Sequence, residues 1–238
     1  MGYVLEVALH DTSAARPDEV HGAAVELLAR ALRDGALPAE GGCIDLGSSP
    51  ALAQHVRHVR VCEQCEGMPL VYAHQLFDEE PAEEMTEGAD SDTVAFQMST
   101  LPAVELDGVW ETLLFDDGIK ERLLRYVSAA MRFADAHVDP RLIGWNRVAL
   151  LHGPPGTGKT SLCRALAHKL SIRIGRRYPN AQLLEVNAHS LFSKWFSESG
   201  KTVMAMFARI REMLDEERPL MMPLMMVMLR LRLRMKTI

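Results

Sequence analysis

No acidic residue follows Glu217 in this chain of 238 residues, although 32 Asp and Glu are spread over the rest. The tail, residues 219–238, instead holds Arg230, Arg232, Arg234 and Lys236, so the stretch before it is more acidic than the net charge of -6 suggests. A tail without carboxylates can neither order a divalent cation nor polarise a water molecule. Cysteine is also scarce: four scattered residues exclude the disulfide framework of a small secreted domain. The start, MGYVLEVALHD, lacks the basic opening and long apolar core of a secretion signal, which points to the nucleus and cytoplasm. No basic surface of the kind nucleic acids require is present. The alternation of Arg230, Arg232 and Arg234 is too short, and too poor in aromatic partners, to make one or to hold a membrane. With 48% hydrophobic residues the sequence is otherwise that of an ordinary globular protein of one or two domains.

Residues 3–10 (YVLEVALH) alternate as a first strand, and residues 20–32 place Leu28 and Leu32 on one helical face. Glycines break the pattern over 37–49, and a β-rich stretch follows from His55 to Leu76. Within it His55, His58, Cys62 and Cys65 are residue types that bind zinc. Val56, Val59 and Val61 run between them with no turn to fold the two pairs around one ion, which favours a plain strand. Residues 78–92 carry eight acids and no base and read as a solvated loop at the edge of a small N-terminal α+β unit, residues 1–100. From Trp110 to Ala136, Leu113, Leu114, Ile119, Leu123, Val127, Met131 and Ala134 recur on one side of a helix.

Residues 153–160 read GPPGTGKT, a complete Walker A loop. Gly153 and Gly158 keep side chains away from a phosphate chain, and Gly156 permits the positive φ that turns backbone N–H groups inward. Lys159 brings a cation to the β and γ phosphates and Thr160 a hydroxyl for magnesium, while the helix start adds its partial positive charge. Residues 147–152 (RVALLH) read as a strand entering the loop, and Leu162, Leu166 and Leu170 form the apolar face of an amphipathic helix leaving it. A second strand over 183–187 and a helix over 201–214 complete two β-α units. The expected fold is therefore α/β, a three-layer module around a parallel sheet, preceded by the small α+β unit. The phosphate loop implies ATP and Mg2+ as ligands, held by Gly153, Pro154, Pro155, Gly156, Thr157, Gly158, Lys159, Thr160 and Ser161.

The text around the loop, WNRVALLHGPPGTGKTSLCRALAHKLSIRI and then NAHSLFSKWFSESGK, preceded by VELDGVWETLLFDDGIKERLL, resembles the AAA+ ATPases and, among them, the pachytene-checkpoint family. The resemblance implies a homo-hexameric remodeller that uses ATP to pull on HORMA-domain proteins in meiotic chromosome-axis control and spindle-checkpoint silencing. It also implies that residues 1–100 engage substrate or an adaptor, and that Lys194, Trp195 and Phe196 match an aromatic pore loop that grips the substrate.

The sequence departs from the family after residue 218. An AAA+ module needs an apolar strand ending in Asp-Glu there, and this chain has PLMMPLMMVMLRLRLRMKTI. No catalytic residue is assigned for that reason; the sensor asparagine, arginine finger and helical lid are missing too. The expectation is a C-terminally truncated relative, recognition unit plus 101–218 of a nucleotide-binding domain and an aberrant tail over 219–238, that binds ATP without splitting it alone. The alternative is a non-enzymatic fragment that only binds adaptor or HORMA partners.

Overall fold

The computed structural model describes residues 2–10, 13, 17–85, 94–115, 118–136, 138–139, 141, 144, 148–187, 204, 208, 212 and 224–230. The first strand, β1 (Gly2–Leu9), is followed by helix α1 (Pro17–Arg33), strand β2 (Cys43–Ile44), the single turn α2 (Pro50–Ala53) and strands β3 (Val56–Cys65) and β4 (Leu70–Gln75). These strands form a sheet in the order β2-β3-β1-β4, with β1 antiparallel to β3 and parallel to β4. Pro17 opens α1 where a missing N–H costs nothing. The helix is closed by Gly35 at φ 65, with Gly35 N–H donating to Leu32 and Ala36 N–H to Ala31. Its stripe Val20, Ala24, Leu27, Leu28 and Ala31 packs on Leu5, Val7, Leu9, Val56, Val59 and Val61 in one apolar cluster. Truncating one of these leucines to alanine costs about 2–5 kcal/mol.

The second half comprises β5 (Ala82–Met85), β6 (Val94–Leu101), the single turn α3 (Val109–Thr112), α4 (Ile119–Asp135), α5 (Lys159–Ile174), β7 (Ala181–Asn187) and β8 (Leu224–Arg230). Its sheet runs β5-β6-β7-β8; β6 lies antiparallel to β5 and β7, and β8 is parallel to β7 from Ala181 opposite Leu224 to Asn187 opposite Arg230. Four expectations change here. The acidic run is not all loop, because Ala82–Met85 pairs with β6 and Gln97 donates to Glu83 at 2.7 Å across the ladder, an edge position where acids stay solvated. The hairpin β5-β6, within the expected N-terminal unit, is hydrogen-bonded into the second sheet. The helix expected from Trp110 is split, since the left-handed Gly118 caps α4 and leaves Leu114 exposed between the two pieces. Residues 148–151 form no strand, and Val148 and Leu150 are exposed. Both sides of β7 are taken, by β6 and by the tail strand β8, so the loop's lead-in does not pair with it.

Helix α5 is also not amphipathic. It is buried from Ala165 through Ile172, and it packs against α3, α4, β4, β6, β7 and β8. The face Leu162, Leu166 and Leu170 meets Trp110, Leu113, Phe115 and α4, whereas Ala167 joins Leu101, Ala103, Leu106, Ala181 and Leu183. The third face carries charge. Lys169 Nζ, almost fully buried, donates to Glu6 Oε2 and Glu111 Oε1, both at 2.8 Å, and to Cys62 Sγ at 3.3 Å. Arg173 reaches Glu6 Oε1 at 3.2 Å and Glu63 Oε1 at 2.8 Å. Burial alone would raise the Glu6 carboxyl, yet the charges of Lys169 and Arg173 overrule it and hold it down to about 2. Burial pushes the Cys62 thiol up to about 12, and lowers the imidazoles of His74 and His168 to about 4 each.

These shifts set the response to acid. The imidazoles are neutral in the fold, so their contribution is complete above about pH 6.5 and is lost as pH falls toward 4. The Glu6 contribution is complete above about pH 4.5 and is lost as pH falls toward 2. Urea unfolding across this range is expected to show stability declining in two successive legs, the lower one reduced in Glu6→Gln, with Asp107 keeping part of it; a flat profile between pH 7 and 4 contradicts the assignment.

Candidate phosphate-binding site

The loop 153–158 turns on three glycines with positive φ, Gly153 at 156°, Gly156 at 80° and Gly158 at 78°. Only glycine adopts these angles cheaply. Nothing lies within 4 Å of where a Cβ on Gly156 would stand, so that side of the loop is open to a ligand. A Cβ on Gly158 would meet Phe115 Cζ at 3.4 Å, because Phe115 and Leu113 back the turn. Helix α5 begins directly afterwards with no side chain capping its first turn, which leaves backbone N–H groups for an anion. Lys159 curls over the loop and donates to the carbonyl of Gly153 at 2.9 Å, to that of Pro154, and to Thr157 Oγ1 at 3.2 Å. Thr157 Oγ1 in turn donates to Pro154 O at 2.9 Å. Thr160 is half-buried in the first turn, and Pro154, Pro155 and Ser161 are exposed around it.

Thus Gly153, Gly156, Gly158, Lys159 and Thr160 are brought together at one helix start. Lys194, Trp195 and Phe196 lie outside the described residues, and of the helix expected over 201–214 only Met204, Ala208 and Glu212 are described, each helical and exposed. The cysteines of the CxxC do not share a site. Cys62 is buried beneath α5, whereas Cys65 at the end of β3 donates to Met68 O at 3.6 Å. Among the described residues, the one group close enough to surround a cation is Glu6, Cys62 and Glu111, and the Lys169 ammonium donates to all three. Surface concavities of about 410 and 340 Å3 line the first sheet around Gln64 and Val61, away from the loop.

Two features escape a reading of the sequence. Arg164, one turn into α5, pairs bidentately with Glu185 of β7 at 2.5 and 2.8 Å, fixing the helix to the second sheet. Lys169 looks like an ordinary solvated helix position. The one available signal was Glu6, an acid in the middle of the apolar strand YVLEVAL.

Residues 149–222 match the ATPase family associated with various cellular activities (AAA). The pachytene checkpoint protein 2 homolog of Oryza sativa subsp. indica is 47% identical over 228 residues, 90% of this chain and 47% of the rice protein. The chain belongs to the pachytene checkpoint protein 2 family of AAA ATPases. The homolog of Arabidopsis thaliana is 44% identical over 226 residues, and that of Danio rerio 62% identical over 117 residues, 49% of this chain and 28% of the fish protein. A solved structure of C. elegans PCH-2 superposes with a TM-score of 0.71 at 30% identity, covering 96% of this chain and 57% of that one. The chain spans about half the length of the plant relatives it matches.

Replacing Gly158 by alanine forces a side chain into left-handed backbone against Phe115. A loss of about 1–2 kcal/mol in urea unfolding is expected; unchanged stability argues against this turn geometry.

Proposed function

We propose that this chain binds ATP with Mg2+ at Gly153–Ser161 and, on its own, does not hydrolyse it. The observation that carries the reading is the open cradle at Gly156 beside an uncapped helix start, with Lys159 poised over the loop. A triphosphate fits this donor set: backbone N–H groups of the loop and first turn for the β phosphate, Lys159 Nζ for the β and γ oxygens, and Thr160 Oγ1 toward magnesium. Magnesium supplies charge neutralisation of the phosphate oxygens. Turnover needs carboxylates to order that ion and the attacking water. The strand beside β7 is LMMVMLR, and no acid follows Glu217.

The wider role proposed follows from family membership: the chain corresponds to the front of a hexameric remodeller of HORMA-domain proteins, in which the first-sheet unit meets substrate or its adaptor and Lys194, Trp195 and Phe196 grip the polypeptide. The relatives' shared name, pachytene checkpoint protein 2 homolog, supports the checkpoint assignment for this chain.

Calorimetric titration with Mg-ATP, run beside a phosphate-release assay, tests the reading. Saturable binding that weakens at least about tenfold in Lys159→Ala, with no phosphate release, is expected. Undiminished affinity in that variant refutes the site, and Lys159-dependent turnover refutes the claim that the chain is hydrolytically incomplete.

A further inference from the structure

The two faces of the first sheet are built from different chemistry. Toward α1 it presents Leu5, Val7, Leu9, Val59 and Val61, an apolar surface closed by the apolar stripe of that helix. Toward α5 it presents Glu6, Arg60, Cys62 and His74, with Ala8 opposite His74, all buried. The described apolar clusters respect the same division: one is drawn from residues 3–73, and the other two from residues 101–183. Among the described residues, the side-chain hydrogen bonds that cross between the halves involve charged groups. Lys169 and Arg173 hold Glu6, Arg173 holds Glu63 and stacks 5.4 Å over the Tyr72 ring, and Arg60 of β3 donates to Asp107 at 2.8 Å.

The seam is also under-satisfied. His58 Nε2, His74 Nε2, both ring nitrogens of His168 and Arg173 Nη2 are buried without a hydrogen-bond partner in the protein. Buried polar atoms of this kind oppose burial, and buried ion pairs return little net free energy against well-packed apolar contact. A surface with these properties resembles a reversible interface between domains more than a fused core.

We infer that the α5-facing surface of the first sheet is a releasable intramolecular docking surface, latched by Lys169 and Arg173, which parts while the core beneath α1 stays folded. Undocking frees the orphaned nitrogens to meet water and lets the carboxylates of Glu6 and Glu63 solvate. It also uncovers a polar sheet face suited to a partner element bearing cationic side chains, the role that α5 fills when docked.

Cys62 reports on this opening, because its thiol is buried on the docking face under Lys169. In the full chain, maleimide labelling of Cys62 is followed by peptide mass spectrometry, alongside hydrogen exchange of the β1 and β3 amides. In the wild-type chain, Cys62 is expected to react at least about tenfold faster than the opening rate implied by the slowest of those amides. Lys169→Met should accelerate labelling a further tenfold or so without accelerating β1 and β3 exchange. Glu63→Gln, at the rim of the seam and unable to threaten the fold, should give a rise of about two- to threefold. Labelling that tracks amide exchange in the wild-type chain, or that is unmoved in both variants, overturns the inference.

Discussion

Lys169 has no business being where it is unless something holds it there. An ammonium group almost fully removed from water, in the last turns of a helix buried on all sides, demands compensating charge at contact distance. Glu6 and Glu111 provide it, one from the first strand of the chain and one from the short helix before α4. Much else follows from this three-way contact. It fixes the rotation of α5 about its own axis. That rotation in turn determines which face meets Trp110 and α4, which face meets Leu101 and Leu183, and where Arg164 emerges to take Glu185. The phosphate loop, at the other end of the same helix, inherits its orientation from these contacts.

The elements with strong local periodicity are legible in the sequence. β1, α1, β3 and β7 fall close to where alternation and helical spacing put them, and the helix after the loop begins at Lys159 as its motif requires. The turn of the loop was legible in part: a positive φ was expected at Gly156 and is found at Gly153 and Gly158 as well. What was not legible depends on long-range pairing. Residues 147–152 have the composition of a buried strand, but a strand needs neighbours, and β7 spends both of its edges on β6 and β8. The apolar face of α5 was visible, while its charged face read as solvent-exposed, since nothing local tells a lysine that a glutamate 163 positions earlier will meet it. The hairpin β5-β6 hid for the same reason: an acidic segment looks solvated whether it forms an edge strand or a loop.

The tail strand β8 illustrates how permissive a sheet edge is. Its parallel register against β7 is set by backbone hydrogen bonds. A sheet edge selects for backbone shape rather than for any particular side-chain chemistry.

The bonds that Lys159 makes to its own loop carry a further implication. A cation already satisfied by the carbonyls of Gly153 and Pro154 is not an idle attractor for passing anions. Any incoming group must offer more negative charge, closer in, than two peptide oxygens do. That sets an entry threshold favouring a polyphosphate over a lone phosphate or a carboxylate metabolite. The same bonds tie the loop to itself, so a bound polyphosphate would have to exchange one set of oxygens for another.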